Sequence, residues 1–290
     1  MNDSDALAIA ERAARAGGAA AMRRLNDPGY QRWKGNRDVV TESILEVQRE
    51  VLQVISDACP DHAILAEEGP EDEPVRVDSE HLWIVDPICG SLNFAQGIPH
   101  FAISIAWRSR GAIRAAVVFD PCRDELFAAT TDGPATLNGQ FIFVQQISEG
   151  LEAFGKAVIA TDLPYDGDRR ILAMRAYSLY TEQVVECTAM GSPALGLCYV
   201  AAGRLHAYWH LDLRIWDVAA ASLILQRAGG TLTDANGVSW LHSDGGYIAS
   251  NSIIHGWVLR TITAVLMQPK PKLLSQELAG STGSPSPATG

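Results

Sequence analysis

Residues 83–94 constrain the fold of this chain more than any other segment. They read Trp-Ile-Val-Asp-Pro-Ile-Cys-Gly-Ser-Leu-Asn-Phe, so an apolar run ends at the carboxylate of Asp86 and a turn of small residues, Gly90 and Ser91, follows. A strand that ends in a carboxylate and turns into exposed backbone N–H groups can hold a hard metal ion beside a phosphate. The unusual residue is Cys89, because a thiol is a soft ligand at a place where a second carboxylate is expected.

The first half of the chain, which we assign to residues 1–150, is predicted to combine helices with an antiparallel meander. Its second helix carries Ile44, Val47 and Val51 at spacings of three and four residues, which places one apolar stripe on the helix surface. The predicted elements of this half are, in order, helices over residues 4–25 and 42–57, strands over 63–66 and 82–86, and a meander over 101–146.

The second half, residues 151–267, alternates predicted strands and helices, which indicates a mixed sheet covered by helices. The two halves together predict an α+β fold. The elements expected here are strands over 157–161, 184–187, 205–209, 231–234 and 247–250, and helices over 169–181, 193–203, 217–228 and 252–266. Residues 268–290 are rich in Pro, Gly, Ser and Thr, so we predict a disordered tail there.

The composition argues against several classes of partner. The net charge of −11 makes nucleic acid an unexpected partner, because phosphate backbones need clustered Lys and Arg. No apolar run is long enough to span a membrane, and the acidic first residues do not resemble a secretory signal. The 5 cysteines include no CxxC pair, which predicts reduced thiols and a cytoplasmic protein.

Three acidic sites lie at the boundaries of predicted elements, where side chains from distant segments can converge. They are Glu67 with Glu68 after a short strand, Asp86 with Ser91, and Asp217 at the start of an Ala-rich helix. Each also has a purely structural interpretation: a solvated pair of charges, a turn residue before proline, and a helix N-cap. Their combination, with Gly and Ser closely following the middle site, favours a metal and phosphate site.

Four segments of the chain resemble the inositol monophosphatase family of metal-dependent sugar-phosphate phosphatases. They are Asp38-Val-Val-Thr41, Ala66-Glu67-Glu68, the segment Trp83 to Phe94, and Trp216-Asp217-Val-Ala-Ala. Their order and spacing match the family over about residues 5–266. The resemblance implies a layered αβαβα sandwich of the sugar-phosphatase type, and it also implies a homodimer.

The resemblance further implies a role for each matching position in the metal centre. Glu67, Asp86 and the carbonyl of Ile88 are expected to hold one Mg²⁺. Asp86 is expected to bridge to a second Mg²⁺ that Asp217 also binds, and Cys89 occupies the position of another ligand of that ion. Two such ions activate a water molecule and stabilise the leaving oxygen of an in-line displacement.

On the substrate side, the resemblance makes Ser91 the partner of Glu67 in orienting the attacking water. The N–H groups of Gly90 and Ser91, at a helix start, are expected to bind the phosphate. Gly191 and Ser192 are expected beside the rest of the substrate. His210 stands where well-known members have a Glu that contacts inositol hydroxyls, so it is a further substrate-binding candidate.

The chain departs from the family pattern at positions that affect the metals. Cys89 replaces an Asp, and a thiol favours Mn²⁺ or Zn²⁺ over Mg²⁺ at the second ion. Ile44 replaces another Asp, and its spacing assigns it to the apolar stripe of its helix. His206 replaces an Asp near the expected substrate site, whereas Ser91 in place of Thr keeps the hydroxyl.

These residues leave three functions open. The first is an enzyme, a phosphoric monoester hydrolase that acts on inositol monophosphate or a similar small polyol or sugar phosphate. The second is a degenerate family member that binds a phosphorylated ligand or a protein partner with little catalysis. The third is a phosphatase for a nucleotide 3′-phosphate or a sugar bisphosphate, although the acidic chain offers no obvious basic platform for a second phosphate.

Overall fold

The computed structural model of the protein describes residues 1–34, 39–69, 78–146, 154–240 and 244–268. Asp38 of the first family-like segment lies outside the described residues, as does the predicted disordered tail beyond residue 268. Among the described residues, no helix is both long and apolar enough to cross a bilayer.

The described helices and strands follow the predicted order closely. The helices are α1 Asp3–Arg24, α2 Glu42–Ala58, α3 Ser91–Ala95, α4 Gly167–Thr181, α5 Pro193–Ala201, α6 Ile215–Arg227 and α7 His255–Leu266. The strands are β1 Gln31–Trp33, β2 Val39–Thr41, β3 Ala63–Ala66, β4 His81–Cys89, β5 Ala102–Ser109, β6 Ala112–Asp120, β7 Glu125–Thr130, β8 Thr136–Leu137, β9 Gln140–Phe141, β10 Val158–Thr161, β11 Glu186–Ala189, β12 Ala207–Leu213, β13 Thr231–Asp234 and β14 Gly245–Ser250.

The strands form two large sheets and one short hairpin. The first sheet has seven strands in the order β3-β4-β5-β6-β7-β8-β9, and only its β3–β4 pair is parallel. The second sheet has five strands in the order β11-β10-β12-β14-β13, with β10 parallel to both of its neighbours. The hairpin pairs β1 with β2. The second sheet is therefore mixed, as the alternation of strands and helices predicts.

Three apolar clusters divide the protein into five layers. Helices α1 and α2 pack on the outer face of the seven-stranded sheet, where Ile44 is buried as the helical stripe predicts. Helices α5 and α6 fill the space between the two sheets. Helices α4 and α7 cover the outer face of the five-stranded sheet. The expected αβαβα sandwich is confirmed, with α5 and α6 as its central layer.

Several predicted boundaries were wrong, and three of them affect the site. Strand β4 continues past Asp86 to Cys89, because its pairing with β5 shifts between these residues and so accommodates Pro87. Strand β12 extends to Leu213 rather than ending at Trp209, so His210 lies inside the strand. Helix α6 begins two residues before Asp217, because the Asp217 carboxylate accepts a hydrogen bond from the N–H of Arg214.

Candidate metal centre and substrate site

Strand β4 carries a buried carboxylate, Asp86, that is only 1% exposed. Its Oδ1 accepts a hydrogen bond from the N–H of Ile88 (3.0 Å), while its Oδ2 is buried with no hydrogen-bond partner. Pro87 lacks an N–H, so it cannot serve the second oxygen. A buried polar atom without a partner costs free energy, and a carboxylate oxygen can recover this cost by binding a cation.

Two elements, β4 and α6, bring three side chains together beside this oxygen. One ligand atom each from Asp86, Cys89 and Asp217 lies within 4.8 Å of the others. Cys89 ends β4, and Asp217 lies in the first turn of α6, so the centre joins the C-terminal end of β4 to the central helical layer. In the described part of the chain, this is the one cluster of three or more His, Cys, Asp or Glu side chains with the spacing of a metal site.

Cys89 also accepts hydrogen bonds from the start of helix α5. Its Sγ accepts a hydrogen bond from the N–H of Ala194 (3.2 Å), and its carbonyl accepts one from the Ser192 hydroxyl (2.8 Å). Ser192 is the N-cap residue of α5, but its side chain makes no cap hydrogen bond to the helix. The sulfur of Cys89 therefore satisfies one of the otherwise unpaired N–H groups at this helix end.

Glu67 follows β3 directly and lies close to Asp86, with which it interacts electrostatically. The Lys34 ammonium contacts Glu67 Oε1 at 3.4 Å and Glu68 Oε1 at 2.5 Å. Glu68 is held further by Gln48, whose Oε1 accepts from the Glu68 N–H and whose Nε2 donates to the Glu68 carbonyl. The cationic side chain of Lys34 thus already contacts both Glu67 and Glu68.

The electrostatics of the centre are those of crowded, buried acids. Burial raises the pKa of Asp86 well above its ordinary range, and the charges of Glu67 and Asp217 raise it further. Burial, with Glu67 next, raises the pKa of Asp217 to about 8. Burial and the two Asp carboxylates also raise the pKa of the Cys89 thiol. The raised pKa values mean that the ionised acids are destabilised here, and a divalent cation would stabilise them, so this acceptor-rich set of residues fits such a cation.

Helix α3 begins beside the metal centre with Gly90, whose φ is +110°. This left-handed conformation favours glycine, and a Cβ there would lie 2.9 Å from the Gly191 carbonyl oxygen. The first bond within the helix runs from the Phe94 N–H to the Gly90 carbonyl (3.0 Å). The N–H groups of Gly90 and Ser91 precede that bond, so the helix ladder does not use them.

Gly191 and Ser192 lie directly against this helix start. The Asn93 amide donates to the carbonyls of His100 (2.8 Å) and Met190 (2.9 Å). The structure therefore brings the turn before α5 next to Gly90. The roles of these residues toward a substrate stay predictions.

The two unusual histidines, His206 just before β12 and His210 within it, differ in their surroundings. His206 Nδ1 accepts from the N–H of Val158 (3.0 Å) and so joins β10 to β12. His210 is buried, and its Nδ1 accepts from the N–H of Asp212 (3.0 Å). Side chains alternate along a strand, so His210 faces the same side as Tyr208, which interacts with Cys89 and Asp217. Burial lowers the pKa of His210 to about 3, so its ring is neutral.

Sequence reasoning missed four residues around the site: Lys34, Asn93, Asp162 and Tyr208. For Asp162 a signal was available, since it directly follows the buried strand β10, just as Glu67 follows β3. No local pattern marks Lys34 or Tyr208, because both reach the site through contacts with distant segments.

Comparison with known proteins identifies relatives of nearly the whole chain. The model of the inositol monophosphatase family matches residues 2–267. The Nus factor SuhB of Pseudomonas aeruginosa is 36% identical over 262 residues, which cover 88% of this chain and 95% of that protein. An inositol-1-monophosphatase of Rhizobium meliloti is 36% identical over 244 residues, covering 82% and 86%. The crystal structure of the extragenic suppressor protein SuhB from Bartonella henselae superposes with a TM-score of 0.83 at 31% identity, covering 89% of this chain and 98% of that one.

Proposed function

Since the chain belongs to the inositol monophosphatase family, we propose that it is a metal-dependent phosphomonoesterase that hydrolyses inositol monophosphate or a similar small polyol phosphate. The observation that carries this proposal is the convergence of Asp86, Cys89 and Asp217 within 4.8 Å, with Asp86 Oδ2 lacking a donor. The start of α3 lies beside that centre, so a cation and a phosphate fit next to each other.

In this mechanism Glu67, Asp86 and the Ile88 carbonyl would hold one metal ion, and Asp86, Asp217 and Cys89 would hold a second. Bound Mg²⁺ supplies an acidified water and stabilises charge on the leaving oxygen. Glu67 and the Ser91 hydroxyl orient the attacking water, and the Glu67 carboxylate accepts its proton. The N–H groups of Gly90 and Ser91 donate to the phosphate oxygens.

The polyol part of the substrate lies against Gly191, Ser192 and His210. Because His210 Nδ1 accepts a hydrogen bond from Asp212, the neutral ring carries its proton on Nε2. Nε2–H is a donor, so it can bond to the oxygen of a substrate hydroxyl. The relatives with Glu at this position present an acceptor instead, so we propose a different hydroxyl pattern in the preferred substrate of this chain.

Magnesium is the proposed cofactor, and Cys89 adds a preference for Mn²⁺ or Zn²⁺ at the second ion. Sγ of Cys89 accepts the Ala194 N–H at the start of α5, but burial and the two Asp carboxylates raise the pKa of this thiol, so metal binding here requires loss of the thiol proton. A thiolate is the form of cysteine that binds metal ions.

The test is a phosphate-release screen over small phosphate esters, each measured with Mg²⁺, Mn²⁺ and Zn²⁺. We expect release from inositol monophosphate or another polyol monophosphate, with Asp86→Asn as the control for contaminating phosphatases. Faster release from a nucleotide 3′-phosphate or a sugar bisphosphate would identify the third function. Equal release from wild type and Asp86→Asn would contradict the proposal.

A binding protein with little catalysis is the second candidate. Two observations favour it: Cys89 and Ile44 replace acidic residues of the family pattern, and the Pseudomonas aeruginosa relative is named a Nus factor. Under this function the screen releases no phosphate with any metal, while the protein still binds a partner. A nucleic-acid partner is unexpected from the acidic composition, and binding to RNA in a mobility shift would overturn that expectation.

We also propose a cytoplasmic homodimer. The support for the compartment is chemical, since Cys59, Cys89, Cys122, Cys187 and Cys198 are free thiols in the described structure. The support for the dimer is the family alone. Sedimentation equilibrium at micromolar concentration tests it, and a monomer mass would contradict it.

A further inference from the structure

The turn of residues 190–192 is the part of the second half that reaches the proposed phosphate site. Its Gly191 carbonyl packs against Gly90, and its Ser192 hydroxyl bonds to the Cys89 carbonyl (2.8 Å). The Asn93 amide of α3 donates to the Met190 carbonyl (2.9 Å). These contacts hold the turn from the side of the first sheet. They involve the carbonyl and hydroxyl groups of the turn.

Asp162 holds the same turn from the opposite side, through its N–H groups. Its Oδ1 accepts from the N–H of Met190 (2.8 Å) and from the N–H of Gly191 (2.5 Å). Gly191 has a φ of +84°, so this turn adopts a backbone conformation that few residues accept. A single carboxylate oxygen therefore bonds the two consecutive N–H groups of a turn whose shape is otherwise uncommon.

The second oxygen of Asp162 is fixed as well, by the Tyr208 hydroxyl at 2.9 Å. Asp162 is 7% exposed and Tyr208 is 1% exposed, so both groups depend on each other for a partner. The Tyr208 ring passes directly beneath α5 at Gly196, where a Cβ would lie 2.4 Å from the ring carbon Cδ2. Only glycine at position 196 leaves room for the ring, and the ring carries the hydroxyl to Asp162.

We infer that Asp162 is a positioning residue for the polyol side of the substrate site, which it serves by fixing the turn of residues 190–192. Tyr208 and Gly196 support it in this role, and the side-chain hydrogen bonds of Asp162 go to the turn and to Tyr208. This inference rests on the proposed function, since it assumes that the substrate lies against Gly191 and Ser192.

The first test measures phosphate release by Asp162→Ala, Asp162→Asn and wild type on the best substrate. We expect Asp162→Ala to raise KM about tenfold and to change kcat by less than about threefold, because the turn contacts the substrate away from the reacting phosphorus. Asp162→Asn should restore KM to within about threefold of wild type, since its Oδ1 still accepts from both N–H groups and its amide can donate to Tyr208. Should Asp162→Ala not fold, Asp162→Ser takes its place with the same expectations.

The second test does not need activity and measures hydrogen exchange at the amides of Met190 and Gly191. We expect both amides to exchange faster in Asp162→Ala than in wild type, while the amide of Ala202 at the far end of α5 keeps its rate. Unchanged exchange at Met190 and Gly191 would overturn the inference, and so would faster exchange with an unchanged KM. If wild type releases no phosphate from any ester, the proposed function fails by itself and the exchange rates alone decide whether Asp162 holds the turn.

Discussion

Two buried aspartates, one just after a strand and one near the end of a strand, differ in their hydrogen bonding. Asp162 follows β10 and has three donors for its two oxygens: two N–H groups and a tyrosine hydroxyl. Asp86 lies in β4, where one oxygen has one N–H donor and the other has none. Burial raises the pKa of both carboxyls, but the hydrogen bonds of Asp162 oppose that rise.

Burial and position near the end of a strand do not by themselves define the role of a carboxylate. Its role depends on how many hydrogen-bond donors surround its two oxygens. A carboxylate whose oxygens are all hydrogen-bonded orients protein groups, whereas one with an unbonded oxygen, close to Glu67 and Asp217, would be stabilised by a bound cation.

The largest expected effect follows from Asp86→Asn. The amide keeps the shape but removes the charge, so metal-dependent phosphate release should fall about 1000-fold. Without metal the variant should be at least as stable as wild type, because it removes a carboxyl that burial and two acidic neighbours destabilise. Phosphate release and thermal unfolding in EDTA measure the two effects. Near-native release at matched Mg²⁺ would show that Asp86 has no metal to hold.

The pH dependence of stability tests how burial affects a base, and His210 is the histidine whose pKa is lowered furthest. Its pKa is lowered to about 3 from an ordinary value of 6.5, mainly by burial. Between these values the unfolded chain binds a proton that the folded protein excludes, so the free energy of unfolding should decrease as pH falls from 6.5 toward 3. The slope from this group is at most about 1.4 kcal/mol per pH unit.

His210→Gln should remove that part of the pH dependence. Urea denaturation of both proteins at several pH values gives the slopes. His206→Gln, just before the same strand, should reduce the slope by a smaller amount, because burial lowers the pKa of His206 in the same direction. Identical slopes for wild type and His210→Gln would mean that the His210 ring is protonated, or solvated, in the folded protein.

Cys89→Asp supplies the hard ligand that the metal centre lacks. The new carboxylate adds charge and can still accept the Ala194 N–H, so Mg²⁺ should bind about tenfold more tightly and turnover with Mg²⁺ should increase. Calorimetric titration of both proteins with Mg²⁺ and Zn²⁺ measures the change, and Cys89→Ser separates loss of sulfur from gain of charge. Weaker Mg²⁺ binding by a folded Asp variant would indicate that position 89 only caps α5.

The smallest expected effect concerns Lys34, the cation that the chain itself places beside Glu67 and Glu68. Lys34→Gln should increase Mg²⁺ affinity about threefold at low ionic strength, because a competing charge is removed from the acidic group. Arg32→Gln, on the same hairpin, changes the net charge equally and is the matched control. An equal gain in both variants would assign the effect to net charge rather than to Lys34.

Much of the site could be predicted from sequence because it is encoded locally. Strand β3 was predicted with its observed bounds, and Glu67 follows it because an apolar run ends there. Asp86 and Asp217 were recognised from the same kind of boundary. The boundary of α6 was wrong by two residues because Asp217, expected as the N-cap, instead accepts from the N–H of Arg214 within the first turn.

The sequence by itself determined the family, the order of the layers and the carboxylates at the ends of their elements, since apolar periodicity and short motifs encode them within a few neighbouring residues. Only the tertiary structure decided which buried carboxylate is bonded and which is not. The donors to Asp162 come from Met190, 28 residues away, and Tyr208, 46 residues away. Because hydrogen bonds form between segments that the chain brings together only on folding, a local pattern specifies burial but not the partner that balances it.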